Sequence, residues 1–303
     1  MKILIIGFGS IGKRHYDILS KFKNSKIDVV SKQRIHNINI FTSLEDIDNL
    51  NIYDYFIIAS ETIKHFQQLK YIIYKVDNKK ILVEKPLFSN FAKLDVKNNS
   101  VFVAYNLRFH PVLNKIYQLI KNEKIYFANI ICGQYLPTWR NNRDYRESYS
   151  SSLKKGGGVL RDLSHELDYT TWLFGNLSNF EYINAKVSDL EISSDDIFSM
   201  IGITDNKIIV NLTVDYISKK AIRELIIHTK NKTLKVDIIN NSIIEYDKQG
   251  NENHIKLQKK NSNYTYKQMH KNILFENGNR IATFQDGFNI VKMFEKIKFM
   301  ESI

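Results

Sequence analysis

The chain has 303 residues, which is room for two domains of ordinary size. Its content of 43% hydrophobic and 25% charged residues is that of a globular protein, and it excludes a disordered tail, a fibrous repeat and a disulfide-rich mini-protein. The 44 basic and 32 acidic residues give a formal net charge of +12, spread along the chain without a basic stripe, so we expect anionic small-molecule partners and no nucleic acid.

The single cysteine and the apolar runs indicate the compartment. Cys132 stands alone, so no intrachain disulfide can form, as expected in a reducing compartment. No apolar run approaches the roughly 18–20 residues that a membrane span requires. The N-terminal run Ile3–Ile6 breaks at Gly7, which is too early for the hydrophobic region of roughly 7–15 residues in a signal peptide. We therefore expect a cytoplasmic protein without a membrane partner.

In the first hundred residues, short runs rich in Ile and Val alternate with longer amphipathic segments. The predicted strands are Ile3–Ile6, Ile27–Val30, Tyr55–Ala59, Ile81–Val83 and Val101–Ala104. The predicted helices include Ile11–Lys23, Thr62–Tyr74 and Phe91–Lys97. Such alternation is typical of right-handed βαβ units in a doubly wound parallel sheet. We therefore predict a mononucleotide-binding α/β domain.

After about residue 122 the pattern changes to many strands with few helices. The predicted strands are Ile125–Ile131, Phe180–Val187, Phe198–Ile203, Ile208–Val214, Ile222–Thr229, Thr233–Ile238 and Ile243–Tyr246. The predicted helices are Val159–Leu173, Tyr264–Glu276 and Phe284–Met300. Turn signals at Thr204-Asp205-Asn206 and Lys230-Asn231-Lys232 indicate hairpins. We predict an α+β domain with a mostly antiparallel open sheet over residues 110–303, following an α/β domain over residues 1–109, with the C-terminal helix able to pack back on the first domain.

A glycine-rich motif, Gly7-Phe8-Gly9-Ser10-Ile11-Gly12, follows the first strand and begins the first helix. In that context G-x-G-x-x-G indicates dinucleotide binding: Gly7 allows a tight turn, Gly9 lets the backbone approach a pyrophosphate, and Gly12 lets helix and strand pack closely. The helix N-terminus supplies unpaired N–H groups to the phosphates. S-adenosylmethionine enzymes also use glycine-rich first loops, so this motif alone does not establish redox chemistry.

The end of the second strand bears on the choice of cofactor. An NAD site normally places Asp or Glu there to bond the ribose 2′-hydroxyl. Here the strand continues into Ser31-Lys32-Gln33-Arg34, where a hydroxyl and two cations suit a 2′-phosphate. We therefore expect Ser31, Lys32 and Arg34 to bind the cofactor, with NADP favoured over NAD; the alternative is a solvated polar loop.

Lys85 follows the fourth predicted strand at its carboxyl end, where open α/β sheets bind ligands. Pro86 fixes the local backbone and permits a cis peptide bond. A lysine held there can polarise a carbinol or ketone oxygen. A surface lysine after a strand is the alternative interpretation.

A triple glycine, Gly156-Gly157-Gly158, leads into a predicted helix that carries Asp162, His165 and Asp168. Three-residue spacing places these side chains within roughly 120° on one helix face. His165 can act as a general acid or base near neutral pH, with Asp162 orienting it. A histidine paired with a carboxylate on an ordinary amphipathic helix is the alternative, and we expect no metal site because no further His or Cys ligands cluster nearby.

Taken together, these motifs resemble those of the Gfo/Idh/MocA oxidoreductases, the glucose–fructose oxidoreductase and inositol dehydrogenase family, over nearly the whole chain. The resemblance rests on the glycine motif with His15, Ser60-Glu61-Thr62-Ile63-Lys64-His65, Glu84-Lys85-Pro86-Leu87, Tyr105-Asn106-Leu107-Arg108-Phe109-His110-Pro111, and the glycine–Asp–His helix. It implies a Rossmann domain that binds NAD or NADP, a C-terminal α/β domain whose sheet forms a homodimer or homotetramer, and hydride transfer to or from a sugar or cyclitol carbon.

The resemblance also implies roles for individual residues. Lys85 is the catalytic lysine and His165 the acid/base, while Glu84 and Pro86 shape the nicotinamide pocket. The third-strand motif adds Ser60, Thr62 and His65 to the cofactor-binding residues. This chain departs from the family pattern in two places: Asp162 and His165 are three residues apart where the family has four, and Glu61 stands where Pro or Asn is usual. Which acid partners His165 therefore stays open.

The segment Tyr135–Tyr149 is rich in arginine and aromatic residues. Arginine forks bind phosphate or carboxylate, and aromatic faces stack on sugar rings or bases. We expect the substrate-binding residues to be Asn106, Arg108, Trp139, Arg140, Arg143, Tyr145, Arg146 and His165. This set favours an anionic substrate, such as a nucleotide-linked or acidic sugar; an interface or solvated loop is the alternative.

The sequence therefore predicts an NAD(P)-dependent sugar oxidoreductase, acting on a sugar made for surface polysaccharide. Two alternatives share the scaffold. One is a glycosidase in which tightly held NAD oxidises the sugar transiently. The other is a non-catalytic NADP-binding sensor, which would have no need of Lys85 and His165 together.

Overall fold

The computed structural model describes residues 1–33, 35, 37–139 and 144–300. The strands are β1 (Lys2–Ile6), β2 (Lys26–Val30), β3 (Asn39–Phe41), β4 (Tyr55–Ile58), β5 (Lys80–Val83), β6 (Ser100–Val103), β7 (Ile125–Gly133), β8 (Leu177–Ala185), β9 (Ile197–Thr204), β10 (Ile209–Asp215), β11 (Ile222–Thr229), β12 (Thr233–Asp237), β13 (Ser242–Tyr246), β14 (Glu252–Lys256) and β15 (Ala282–Thr283). The helices are α1 (Ser10–Leu19), α2 (Thr62–Lys75), α3 (Pro111–Ile120), α4 (Leu136–Trp139), α5 (Val159–Asp162), α6 (Ser164–Phe174), α7 (Tyr264–Phe275) and α8 (Phe284–Lys296).

The chain divides into two compact units. The first contains Met1–Phe109 and Asn261–Glu295, and the second contains His110–Lys260 together with the chain from Lys296 onward. The division expected from sequence also falls after residue 109, but it assigned the segment with α7 and α8 to the second domain. The structure places that segment in the first unit, where Met269 and Ile273 of α7 are buried in the same hydrophobic cluster as residues of β1 and β4.

The first unit is built on a seven-stranded sheet with the order β15-β6-β5-β4-β1-β2-β3. All neighbouring strands are parallel except the edge pair β15 and β6. The central strands are short runs of aliphatic and aromatic residues that are buried on both faces, which is the pattern of a parallel sheet covered by helices. Strand order reverses at β1, and open α/β sheets bind ligands at such a point, outside the carboxyl ends of the strands.

One predicted element of this unit is wrong, and two short strands were not predicted. Residues 91–96, in the predicted helix Phe91–Lys97, have no regular secondary structure. Asp95 accepts a hydrogen bond from the Lys97 amide, and Lys97 has a φ of +52°, so the segment ends in a turn. The unpredicted strands β3 and β15 have three and two residues, too few to show a periodic pattern.

The second unit is an eight-stranded sheet with the order β14-β13-β12-β11-β7-β10-β9-β8. Its pairs are antiparallel except β7 with β10, and the two predicted turns join β9 to β10 and β11 to β12. In β10, Val210, Leu212 and Val214 alternate on the buried face, as predicted. The structure thus confirms the fold class: an α/β unit and an α+β unit with a mostly antiparallel sheet.

The other face of this sheet carries large apolar side chains. Ile183, Ile201, Ile203 and Ile209 are between 45% and 55% exposed. Elsewhere in the second unit, α3 and β14 were not predicted. Within the part of the chain that the structure describes, no helix is long and apolar enough to cross a bilayer.

Candidate active site

The glycine-rich loop connects β1 to α1, and its three glycines meet different surroundings. Gly7 has a φ of +93°, and a Cβ there would lie 2.7 Å from backbone atoms of Ala59 and Ser60. A Cβ on Gly12 would lie 2.1 Å from the Gly7 carbonyl oxygen. Around Gly9, by contrast, no heavy atom of the described residues lies within 4 Å of the Cβ position. The loop is therefore closed against the sheet at Gly7 and Gly12 and open at Gly9.

This geometry fits the pyrophosphate of a dinucleotide. Gly9 is the N-cap residue of α1, and the described residues supply no side-chain cap to this helix. The amides of the first helical turn, which includes Ser10, Ile11 and Gly12, therefore remain available to an anion. Phe8 packs edge-on against Tyr16, with 5.7 Å between ring centroids, and this contact fixes the start of the loop.

Two of the three residues proposed for the 2′-phosphate lie directly after β2. The Ser31 amide donates to the Phe41 carbonyl, and the Ser31 hydroxyl accepts from the Gln33 amide at 3.1 Å. Lys32 is exposed beside it. Arg34 lies outside the described residues. The described tip is thus a polar turn with one exposed cation.

The segments after β4 and β5 are tied together by His65. His65 is buried on α2; its Nε2 lies 3.2 Å from the Ser60 carbonyl, and its Nδ1 lies 3.2 and 3.3 Å from the Pro86 and Leu87 carbonyls. Burial lowers the pKa of His65, although the three carbonyls oppose this shift. His65 therefore holds the loops after β4 and β5 together.

The remaining residues of the third-strand motif lie at the N-terminus of α2. Thr62 is its first residue, and the Ser60 hydroxyl donates to the Gln68 side chain at 2.6 Å. Glu61, the departure from the family pattern, is exposed and forms an ion pair with Lys64 at 2.7 Å. Its charge is thus balanced locally.

Lys85 follows β5, and its peptide bond to Pro86 is cis. Glu84, which is only 8% exposed, accepts a hydrogen bond from the Lys85 amide at 3.3 Å through Oε2. Its Oε1 lies 2.9 Å from Nε2 of His15 on α1. Because β1, β4 and β5 are neighbouring parallel strands, Gly9, Ser60 and Lys85 follow them at the same carboxyl edge of the sheet.

In the second unit, the predicted helix Val159–Leu173 is two helices, which corrects the sequence-based argument. Helix α5 ends at Asp162 and α6 begins at Ser164, with Leu163 at φ −96° and ψ 28° between them. A single helical face therefore does not run from Asp162 to His165. Regular spacing applies only to His165 and Asp168, which share α6.

Asp162 has a partner that the sequence did not reveal. The Tyr216 hydroxyl donates to Asp162 Oδ2 at 2.6 Å, and burial raises the pKa of Tyr216 well above its ordinary value. The Trp139 ring lies edge-on to Tyr216, with 5.6 Å between centroids. Trp139, a predicted substrate-binding residue, and Asp162, a predicted catalytic residue, are thus linked through Tyr216.

A buried carboxylate supports the triple glycine. Asp195 accepts from the Leu160 amide at 2.9 Å, and a Cβ on Gly158, whose φ is +117°, would lie 2.0 Å from Asp195 Oδ1. Burial raises the pKa of Asp195 to about 6. Glycine is therefore required at residue 158 both by its backbone angle and by the space that Asp195 occupies.

Helix α6 is anchored by a buried ion pair next to His165. Glu166 Oε1 lies 2.8 Å from Arg223 Nε on β11, and Glu166 is fully buried. Removing one partner of such a pair strands the other charge in the interior. This contact fixes the part of α6 that carries His165.

The predicted substrate-binding residues of the first unit are engaged within it. The Asn106 amide donates to the Thr265 hydroxyl at 2.6 Å, and Arg108 forms an ion pair with Asp286 at 3.3 Å. Both Asn106 and Arg108 are buried. Thr265 lies on α7 and Asp286 on α8, so these contacts tie the end of the first part of the unit to the two C-terminal helices.

In the second unit, Arg146 is held by two carboxylates, Asp144 at 2.7 Å and Glu191 at 3.3 Å. The Tyr145 hydroxyl accepts from the Glu191 amide. Arg140 and Arg143 lie outside the described residues. The described part of this segment thus contains Trp139 and Arg146, and two carboxylates balance the charge of Arg146.

Family models match both parts of the chain. The model described as "Oxidoreductase family, NAD-binding Rossmann fold" matches residues 1–97, and "Oxidoreductase family, C-terminal alpha/beta domain" matches residues 118–301. The chain belongs to the Gfo/Idh/MocA oxidoreductase family. Its first unit is therefore an NAD-binding Rossmann domain, and the resemblance inferred from the motifs is confirmed.

Individual relatives of this Gfo/Idh/MocA oxidoreductase are distant. A curated relative, the uncharacterized oxidoreductase YrbE of Bacillus subtilis (strain 168), is 28% identical over 190 residues, and the match spans 57% of this chain and 53% of the relative. The UDP-N-acetylglucosamine 3-dehydrogenase GnnA from Acidithiobacillus ferrooxidans is 15% identical, with a TM-score of 0.80 over 98% of this chain and 96% of that one. The transcriptional regulator Gal80p from Kluyveromyces lactis is 14% identical, with a TM-score of 0.82 over 98% of this chain and 88% of that one.

Four polar residues of the two units belong to no pattern that the sequence shows. Tyr216 and Asp195 follow or precede strands without any motif. His270 on α7 and Tyr55 at the start of β4 continue the contacts of His15 and Glu84. The one available signal was that a histidine interrupts the apolar face of the helix over Tyr264–Phe275.

Proposed function

We propose that the protein is an NAD(P)-dependent oxidoreductase that transfers hydride between a nicotinamide and the carbinol or ketone carbon of a sugar. The observation that carries the proposal is the arrangement at the carboxyl edge of the first sheet. There, a glycine loop that is closed at Gly7 and Gly12 and open at Gly9 lies on the same edge as Lys85. This arrangement supports a bound dinucleotide with a candidate proton-transfer group on a neighbouring strand.

NADP is the cofactor that we favour. Ser31 and Lys32 follow β2 where an NAD site would carry an acid, and a carboxylate there would repel a 2′-phosphate. The exposed Lys32 supplies a cation. The preference for NADP would bias the reaction toward reduction of a keto-sugar.

The bound nicotinamide would supply or accept the hydride at its C4 atom. In this proposal Lys85 Nζ binds the substrate oxygen and transfers its proton, because an ammonium group can stabilise the charge that develops there. His165 is the second acid/base, and Asp162, which accepts from the Tyr216 hydroxyl, is one of the acids that could orient it. The assignment of Lys85 and His165 to one reaction rests on the family resemblance.

The substrate class that we propose is a nucleotide-linked or acidic sugar for surface polysaccharide. The arginine- and aromatic-rich segment before the triple glycine supports an anionic ligand with a ring to stack on. Because Asp144 and Glu191 already engage Arg146, an anionic substrate would have to displace one of these partners or rely on the other arginines. The name of the similar A. ferrooxidans structure also includes a nucleotide sugar.

We also propose a homodimer or homotetramer formed through the second sheet. The exposed isoleucines Ile183, Ile201, Ile203 and Ile209 make an apolar face. A sheet face of this kind is self-complementary about a two-fold axis, and burying it in a second copy removes apolar surface from water.

The first experiment is a fluorescence titration of the purified protein with NADPH and NADH, each alone and with a panel of nucleotide sugars. We expect tighter binding of NADPH, strengthened by one sugar. Absence of binding of either cofactor would refute the proposal. A cofactor that stays bound through purification without net turnover would instead indicate a glycosidase that uses transient oxidation.

Lys85→Ala tests the catalytic assignment, and Lys70→Ala on the exposed side of α2 is its matched control. We expect Lys85→Ala to bind NADPH as the wild type does while losing nearly all oxidation or reduction of the sugar. Lys70→Ala should leave both unchanged. Full turnover in Lys85→Ala would show that Lys85 is not the catalytic lysine.

A non-catalytic sensor is the second candidate, and the fold similarity to a transcriptional regulator favours it. A sensor would bind NADPH and sugar as proposed but show no change in nicotinamide absorbance in wild type. That result would reject the oxidoreductase and leave the cofactor assignment intact.

A further inference from the structure

Four buried polar side chains of the first unit form a continuous hydrogen-bonded chain that ends beside Lys85. The Tyr55 hydroxyl lies 3.1 Å from His270 Nδ1, and His270 Nε2 lies 2.9 Å from His15 Nδ1. His15 Nε2 in turn lies 2.9 Å from Glu84 Oε1. Each of these side chains is at least nine-tenths buried. These contacts run from β4, through α7 and α1, to the end of β5.

The donors and acceptors of this chain fit together in one direction. The buried Tyr55 O–H needs an acceptor, and the described residues bring His270 Nδ1 within reach of it, so His270 accepts at Nδ1 and donates from Nε2. His15 then accepts at Nδ1 and donates from Nε2 to the Glu84 carboxylate, which only accepts. Every N–H or O–H in the chain thus meets one acceptor, with both imidazoles neutral in their Nε2–H tautomers.

The ionisation of the distal groups supports this direction. Burial keeps the pKa of His270 well below its ordinary value, so His270 is neutral. Burial and the charge of Glu84 keep the pKa of Tyr55 well above its ordinary value, so its hydroxyl retains the proton that it donates. The rings of His15 and His270 also meet edge-on with 5.0 Å between centroids, and Tyr266 packs edge-on against His15 with 5.6 Å between centroids.

The last link joins the chain to the proposed catalytic residue. Glu84 uses Oε1 for His15 and Oε2 for the Lys85 amide at 3.3 Å. Rotation of the Glu84 carboxylate would break both bonds, so the bond from His15 helps to hold that carboxylate against the Lys85 amide.

We propose that Tyr55 and His270 are positioning residues: acting through His15, they fix the Glu84 carboxylate against the Lys85 backbone. Neither residue belongs to a motif of the sequence, and both are fully buried. Their expected effect on turnover rests on the proposed function. The tautomers of the two histidines and the resonance of the Lys85 amide can be measured whether or not that function is correct. Three readouts therefore separate the two.

The first readout is the tautomer of each imidazole. In protein with isotope-labelled histidine, nitrogen chemical shifts distinguish Nδ1–H from Nε2–H, and His15→Gln and His270→Gln identify the two resonance sets among eight histidines. We expect Nε2–H for both. An Nδ1–H tautomer or an imidazolium at either residue would overturn the proposal.

The second readout is the Lys85 amide resonance, which needs no substrate. Labelling glutamate at its carbonyl carbon and lysine at its nitrogen selects the three Glu–Lys steps, which begin at Glu84, Glu123 and Glu295. Tyr55→Phe removes one hydroxyl at the far end of the chain and should move this resonance. Tyr53→Phe is the matched control, because its buried hydroxyl donates to Asp28 at 2.7 Å and lies outside the chain.

The third readout is steady-state kinetics with the nucleotide sugar that the fluorescence titration selects. We expect kcat to fall about tenfold in His270→Leu and less in Tyr55→Phe, since misplacing a catalytic group acts on the chemical step. KM and NADPH affinity should stay within about twofold of wild type. His270→Gln, whose amide can both donate and accept, should recover most of kcat.

The outcomes discriminate between the two proposals. If the Lys85 resonance and kcat of Tyr55→Phe match those of Tyr53→Phe, Tyr55 is merely structural and the positioning proposal is wrong. Should His270→Leu fail to fold, Tyr55→Phe and His270→Gln still decide. A wild type without turnover would refute the proposed function, and the tautomers and the Lys85 resonance would then decide the positioning role.

Discussion

Two glycines of the β1–α1 loop should respond to alanine in opposite ways. Gly12→Ala would place Cβ 2.1 Å from the Gly7 carbonyl oxygen, and ordinary contact begins near 3.4 Å. Helix α1 would have to shift by about 1.3 Å, and the obstacle is backbone that no rotamer change can clear. Overpacking of this kind costs about 1–3 kcal/mol, and alanine in a helix recovers about 1 kcal/mol relative to glycine. Because this obstacle is backbone, we expect the upper end of the overpacking range and therefore a net destabilisation of about 2 kcal/mol.

Gly9→Ala is the matched variant, because its Cβ would meet none of the described residues within 4 Å. We expect its free energy of unfolding to stay within about 0.5 kcal/mol of wild type. The added methyl group would instead occupy the space that we assign to the pyrophosphate. NADPH affinity should therefore fall by about tenfold or more, which corresponds to about 1.4 kcal/mol.

Urea unfolding and NADPH fluorescence titration measure the two effects on the same samples. We expect Gly12→Ala to have a lower free energy of unfolding than the wild type. We expect Gly9→Ala to have a weaker NADPH affinity with wild-type stability. Wild-type NADPH affinity in Gly9→Ala would refute the placement of the pyrophosphate. Wild-type stability in Gly12→Ala would refute the argument from the close backbone approach.

Three further predictions concern other parts of the molecule. Because burial raises the pKa of Asp195 from 3.8 to about 6, the folded state binds a proton between these pH values that the unfolded state releases. The contribution of Asp195 to the free energy of unfolding therefore falls as pH rises through that window. Asp195→Asn should reduce the difference between the free energies of unfolding measured with urea at about pH 4.5 and about pH 7. An unchanged difference would contradict the raised pKa of Asp195. Ile201→Lys, with Ile209→Lys as a second variant, should lower the molar mass measured by light scattering, and a wild type that is already monomeric would exclude the sheet interface. Replacing Ser31 by Asp and Arg34 by Ala should shift the ratio of NADPH to NADH affinity toward NADH, and no shift would refute the 2′-phosphate argument.

Sequence periodicity was sufficient where an element is long and buried in one regular way. The strands that begin at Ile3 and Tyr55 are apolar on both faces, and Val210, Leu212 and Val214 alternate on one face; the structure has strands in all three places. The helix predicted over Phe91–Lys97 was wrong, because a pattern of seven residues is too short to distinguish a helix from a loop whose apolar side chains pack on other elements.

The residues of the candidate site also differ in how local their sequence signals are. The glycine motif and Glu84-Lys85-Pro86 are local in sequence, so their context was visible. Tyr216 binds Asp162 from 54 residues away, and no pattern within either segment encodes that pairing. The break at Leu163 was also hidden, since the sequence on both sides is compatible with one continuous helix.

Helices α7 and α8 return to the NAD-binding unit after the chain has formed the second sheet, and this has a consequence for biosynthesis. Strands β1–β6 leave the ribosome first, but the cluster around them also needs Met269, Ile273 and Ile281. Until these residues are synthesised, the apolar surface that they cover stays exposed, and so does the His15 side chain that His270 contacts. Domains that fold during translation ordinarily finish in N- to C-terminal order. Here the N-terminal unit finishes last, so products truncated before Asn261 would be substrates for chaperones and proteases.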